Sequence, residues 1–507
     1  MKTSQILAAT LMGIVAFSAF AESQYVARVP VNVKFSSAPP EVPQEPISVV
    51  LSPEALPAAT VNEPYSFNLA DRLSITGGTG SYNLGDVAWS LKAGDVLPAG
   101  LTLSNGTIAG TPTVKNETGA SFEVTGMYQD ASGQQVYTIV VGGQTLKVKQ
   151  IAAGYGHTCA VTPAGGVKCW GQDYFGQLGD GGTNTDKTTP VDVLGLTSGV
   201  ASVTAGYSHT CAVTISGGVK CWGKDLAGQL GDGGTNTDQT TPVDVSGLTS
   251  GVASVTAGSQ YTCAVTTEGG VKCWGDDEYG QLGDGGANVN KATPVDVYGL
   301  SAGVVSVSAG SNHTCAVTTE GGAKCWGRDE VGKLGDGGMD TNQPTPVDVS
   351  GLNSGVLSVT AGYAHTCALI SSGGVKCWGW DGHGQLGDGG TNTNKATPVD
   401  VQGLAAGVTS VTSGHSHVCA LMSSGGVKCW GLDSSGQLGD GGTNTNQSTP
   451  VNVSGLTSGV ASVTAGYYHT CAVTSSGGAK CWGNDGWSQI GDSGENVNKT
   501  TPVDVLP

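Results

Sequence analysis

At 507 residues the chain is long enough for more than one domain, and its 83 glycines, 12% charged residues and 6% aromatics describe a turn-rich all-β protein with short strands. A formal net charge of −18, with no run of lysines or arginines, argues against non-specific binding to DNA, RNA or anionic lipid. The acidic excess is spread over internal repeats rather than gathered into a tail, which reads as a solvated surface.

In chain order, residues 1–21 combine Lys2, an apolar run from Ile6 to Phe20 and a small-x-small site at Ala19-Phe20-Ala21. That pattern is a secretory signal peptide cleaved after Ala21; an uncleaved anchor is the alternative, but the run is short for a span. Residues 22–46 follow. Tyr25–Phe35 alternates Val29, Val31, Val33 and Phe35 with polar or small residues, and Pro30 restricts it to an edge strand. Ser36–Pro46, with four prolines, reads as a Pro-rich linker.

Residues 47–147 contain no cysteine and return to period-2 patterning at Tyr65–Leu69, around Trp89, at Leu101–Leu103, after Phe122 and from Val136, with Gly, Asn and Pro turns between. Asn105-Gly106 sits where a tight hairpin turn is wanted. The stretch LPAGLTLSNGTIAGTPT, Leu97–Thr113, resembles the Ig-like domains, related to cadherin-like modules, of exported bacterial proteins. The resemblance implies a β-sandwich acting as a spacer or adhesion module.

Residues 148–507 are seven repeats of 52 residues. In the second, the strands expected are Gly199–Ala205, His209–Thr214, Gly218–Gly223 and Thr241–Val245, four short strands per unit. An open solenoid would need polar caps, and the last repeat keeps its full pattern to Val505, so closure into a ring accounts better for the ends. The AG-x-x-HTCA opening, the GGVKCWG strand and the G-Q-L-G-D turn, as at Gly228–Asp232, resemble the RCC1 repeat family. The resemblance implies an all-β fold: a seven-bladed RCC1-like β-propeller, here behind an N-terminal Ig-like β-sandwich.

All fourteen cysteines lie in the repeats, ten apart in each. If Cys211 faces Cys221, Val213 faces Val219 and Ile215, Ser216 and Gly217 form a three-residue hairpin loop. Opposed positions of that kind are close enough for a disulfide, giving Cys159–Cys169, Cys211–Cys221, Cys263–Cys273, Cys315–Cys325, Cys367–Cys377, Cys419–Cys429 and Cys471–Cys481. The alternative is a zinc site using His209 with the two cysteines; Tyr261 replaces that histidine in the third repeat while both cysteines remain. The six repeat histidines, His157, His209, His313, His365, His417 and His469, recur in like settings and read as structural, whereas a catalytic histidine needs a unique partner. The GDGGTNTD loops, with Asp180, Asn184 and Asp186, read as Asx-type turns; calcium binding is the alternative.

No cofactor, metal site or catalytic set is expected. Variation concentrates after CWG and before the histidine position, including Tyr155 and His415, and the candidate binding residues are Tyr174, Phe175, Tyr207, Tyr279, Tyr363, Trp380, His383, Tyr467, Tyr468 and Trp487. Their expected use is to bind a protein or glycan partner, with no nucleic acid and no membrane insertion, in the periplasm, at the cell surface or outside the cell. Three other readings follow from the resemblance or the fold class: inhibition of a secreted enzyme such as a β-lactamase, guanine-nucleotide exchange as in some eukaryotic relatives, and a propeller lyase or glycosidase. Exchange factors place an inserted wedge in a blade, and the even 52-residue spacing leaves no room for one.

Overall fold

A computed structural model describes residues 44–78 and 81–507; the expected signal peptide, the expected strand at Tyr25–Phe35 and most of the expected Pro-rich linker lie outside them. Among the described residues helix is confined to three short 3-10 turns.

Residues 48–142 carry nine strands: β1 (Ser48–Leu51), β2 (Ala59–Thr60), β3 (Tyr65–Asn68), β4 (Leu73–Thr76), β5 (Ala88–Leu91), β6 (Leu101–Ser104), β7 (Thr107–Gly110), β8 (Asn116–Tyr128) and β9 (Ala131–Gly142). They pair as a four-stranded sheet β2-β9-β8-β5, a three-stranded sheet β3-β7-β6 and the pair β1-β4. The inward positions of the period-2 pattern, among them Ile108, Phe122, Val124, Ile139 and Val141, meet in one core. The β6–β7 turn places Asn105 and Gly106 at φ 48° and 79°, the primed geometry that Asn-Gly favours.

Beyond Gln150, seven four-stranded antiparallel sheets follow one another, each built from consecutive strands of one repeat. In blade 2 these are Val200–Ala205, His209–Thr214, Val219–Gly223 and Gln239–Asp244. The TPVD strand pairs within its own repeat, Lys220 opposite Asp244 and Cys221 opposite Val243. The hairpin register is Cys211 opposite Cys221 and Val213 opposite Val219, and Gly217 takes φ 79° in the loop. Cα atoms of each cysteine pair stand 4.1 Å apart and all seven disulfides are formed.

The core is distributed over the joints between blades. Cys211, Val213, Val219, Cys221, Leu230 and Val245 of blade 2 pack against Ala264 and Trp274 of blade 3. Each CWG tryptophan is fully buried against the preceding blade; Trp222 Nε1 donates to the Gln177 carbonyl at 2.9 Å, and a Cβ on Gly179 would stand 2.6 Å from that nitrogen. The G-Q-L-G-D turn is thus the socket for the next blade's indole.

The ring closes by the same joint. Trp170 Nε1 donates to the Gln489 carbonyl at 2.9 Å. In blades 1 to 6 the linker leucine after the fourth strand, such as Leu196 and Leu248, bonds back to its own blade, Leu196 N–H to Val193 O and Val167 N–H to Leu196 O. At blade 7 Leu146 takes that place: Leu146 N–H donates to Val505 O at 2.7 Å and Ala479 N–H to Leu146 O at 2.9 Å. Leu146 is buried with Val148, Val473 and Val505.

Candidate binding face

Because the four strands of a blade alternate in direction, the turns between first and second strands and the loops between third and fourth emerge on one face of the ring, and the second-to-third hairpins emerge on the other. Every variable position found in the sequence lies in that first group.

Beneath this face the repeat histidines hold the blades together. The Thr210 hydroxyl donates to the Gln177 carbonyl at 2.9 Å, so its oxygen accepts from His157 Nε2–H at 2.9 Å. The same bond joins His209 to Thr262, His313 to Thr366, His417 to Thr470 and, across the closure, His469 to Thr158. Burial pulls these imidazoles far below their ordinary range, to about 3 for His157, His209, His417 and His469, so they are neutral. In blade 3 the Tyr261 hydroxyl reaches the His313 carbonyl instead. His365 faces Val418, which has no hydroxyl, and neither of its ring nitrogens has a partner among the described residues. The histidines bridge neighbouring blades rather than neighbouring strands of one blade.

A second buried ring was not singled out in the sequence, although its signal, an aspartate two residues after CWG, recurs in every unit. Asp173, Asp225, Asp277, Asp329, Asp381, Asp433 and Asp485 are buried, and each Oδ1 accepts the N–H five residues on, as Asp225 does from Leu230 at 2.8 Å. Burial raises these carboxyls to about 6, only partly offset by that bond. The GDGG aspartates are used locally: Asp180 accepts from Gly182 N–H and pairs with Lys187 at 3.2 Å, as Asp284, Asp388 and Asp492 pair with Lys291, Lys395 and Lys499. Asp186 accepts from Asp173 N–H.

On the surface of the face the structure gathers half of the candidate residues around the mouth of the central channel. Tyr155 stacks on Tyr207 at 4.0 Å and lies 4.6 Å from Tyr467 and 5.2 Å from Trp487; Tyr363 stacks on His415 at 4.2 Å, and His415 lies 4.0 Å from Tyr467. Tyr468 joins at 4.8 Å from Tyr467. Blades 5, 6, 7, 1 and 2 supply these rings, while blades 3 and 4 place Ser259 and Ser311 at the same turn position, so the mouth has an aromatic arc and a hydroxyl gap. Burial raises the Tyr207 and Tyr467 hydroxyls, which stay neutral, and lowers His415 to about 4. Tyr155 and His415, left out of the candidate set, complete the cluster.

The other candidates lie on the loops. Tyr174 packs edge-on against Phe175 at 4.8 Å and is 71% exposed. Trp380 and His383 pair at 5.0 Å, and His383 reaches Asn446 of the next loop at 3.1 Å. Tyr279 carries the Arg328 guanidinium over its ring at 4.6 Å, and Phe175 the Lys224 ammonium at 5.1 Å. Lys333 stands where other blades have glutamine; it is buried, and desolvation lowers its amine to about 8.

Charge is segregated as well. The loops at 172–187 and the six equivalent segments hold 21 of the 40 carboxylates and seven of the 22 lysines and arginines; the remainder of the chain carries 19 carboxylates and 15 lysines and arginines. Strand order turns a charge distributed over the repeats of the sequence into an acidic bias of one face.

Residues 79–366 match the RCC1-like domain, and residues 372–421 and 424–473 match the regulator of chromosome condensation (RCC1) repeat. The ultraviolet-B receptor UVR8 of Arabidopsis thaliana is 33% identical over 70% of this chain and 81% of its own. The E3 ubiquitin-protein ligase HERC2 of Homo sapiens is 36% identical over 54% of this chain but only 6% of HERC2. Yeast RCC1 (Prp20), solved bound to Kap60, superimposes with a TM-score of 0.60 at 20% identity, over 71% of this chain and 85% of that one, a likeness of fold. Matched over more than half its length and tied to UVR8 through most of both chains, this protein belongs to the RCC1-like β-propeller family.

Proposed function

We propose that the protein is an exported, non-enzymatic scaffold of two domains, an Ig-like spacer at 47–147 and the propeller at 148–507, which holds a macromolecular partner on the face bearing the aromatic mouth. The observation that carries this reading is convergence: residues up to 332 apart in sequence, Tyr155 and Trp487, lie 5.2 Å apart on a frame that otherwise repeats. A rigid ring with non-repeating aromatic residues on one face is the arrangement that interface anchors need. Seven disulfides with no free cysteine among the described residues suit an oxidising compartment and support export.

The test is capture from envelope extract and culture fluid with the full mature chain as bait. Replacing Tyr279, Trp380 and Trp487 together with alanine should abolish capture of the specific partner while leaving the fold intact. Undiminished capture would remove this face from the reading.

A further inference from the structure

We infer that the partner is a basic protein segment, whose arginine or lysine side chains are received by the aromatic arc of the channel mouth within an acidic rim. This rests on the proposed use of the face and adds the chemistry of what it takes. Two independent features converge on it. The first is charge: the loops framing the mouth are net acidic even with Lys187, Lys291, Lys395 and Lys499 paired to four of their aspartates and the seven-aspartate ring buried, and exposed Asp238, Glu278, Asp340 and Glu495 project from them. A cationic segment would be steered to that face in preference to the weakly charged remainder.

The second feature is the character of the mouth. Tyr363 is exposed at the mouth, with Tyr155, Tyr207 and Tyr467 half-buried against one another beside it, and among the described residues no cation rests on these rings and no carboxylate lines the cluster. On the outer loops of the same face the chain's own cations already occupy aromatic rings, Arg328 over Tyr279 and Lys224 over Phe175. The loop chemistry therefore accepts guanidinium and ammonium groups on ring faces, and the inner rings are the ones left for an incoming cation. The hydroxyl gap at Ser259 and Ser311 gives such a side chain an open sector of the mouth beside the rings. A neutral glycan would use the rings and be indifferent to the rim.

A fluorescein-labelled peptide of five Arg-Gly repeats, its Gln-Gly counterpart, and unlabelled chitohexaose separate these readings with the full mature protein. The arginine peptide should bind, the glutamine peptide should not, and affinity should fall about tenfold between about 50 and about 200 mM salt. Tyr363→Leu, at a ring 41% exposed and so tolerant of change, should weaken binding about fivefold at constant charge, while Tyr363→Phe keeps it. Glu268→Gln and Glu320→Gln, on the opposite face, should leave binding unchanged. No binding of the arginine peptide, or binding that Tyr363→Leu leaves untouched, overturns the inference, as does chitohexaose binding that the same substitution abolishes. If capture still depends on Tyr279, Trp380 and Trp487 while the peptide fails, the proposed face stands and only the basic partner falls; if neither responds, both fall.

Discussion

The two exceptions in the histidine ring show how a single residue is weighed inside a repeat. Tyr261 compensates for its missing imidazole with a hydroxyl that reaches the next blade, whereas Val418 leaves both nitrogens of the buried His365 without a partner among the described residues. Val418→Thr restores the geometry found at Thr210 and Thr470, and a buried donor regained is worth about 1 kcal/mol. Denaturant titration should place the variant above the wild type, and Thr366→Val should place it below by about 1 to 3 kcal/mol. No change in either would mean that the His–Thr bonds are incidental to the joint. The seven buried aspartates carry the opposite liability. With a folded value of about 6 against an ordinary 3.8, Asp225 favours the folded state as pH falls from about 6 toward 4, and its buried charge opposes folding above that window. Asp225→Asn keeps the acceptor for Leu230 N–H and discards the charge. The variant should therefore melt above the wild type at pH 7, with the difference shrinking toward pH 4.

At the scale of strands and hairpins the sequence was nearly sufficient. Because the period is 52, a strand found once is found seven times, and the cysteine register with its three-residue Gly217 loop followed from hairpin geometry. Blade phase was not legible: whether Thr241–Val245 closes its own repeat or joins the next is a tertiary choice, and no local pattern records it. The Cys211–Cys221 bridge closes so short a loop that its removal should cost somewhat less than about 3 kcal/mol in the chain-entropy account. The double change Cys211→Ala with Cys221→Ala should lower the denaturation midpoint while leaving the remaining six bridges formed. Mass spectrometry of the unreduced wild-type protein should find no free thiol; thiols at both positions of several repeats would contradict the paired hairpins.

For the whole molecule, what repeats was readable and what converges was not. Tyr155 and Trp487 are neighbours only because the ring closes, and the acidic face exists only because alternating strands send every third-to-fourth-strand loop the same way. The pH response is also a property of the ring: six neutral histidines lose stability as pH falls below 6.5, seven aspartates gain it as pH falls below about 6, and the two sets oppose each other. Melting temperature should accordingly vary little between pH 6.5 and 5 in the wild type. The closure by Leu146 has a mechanical corollary. Both ends of the ring grip the same edge of blade 7, Leu146 and Val505 being 2.7 Å apart across one hydrogen bond. Tension applied through the chain ends is focused on that seam, so the propeller should rupture there first and then peel, each disulfide withholding ten residues, about 30 Å of contour length, from the extended chain.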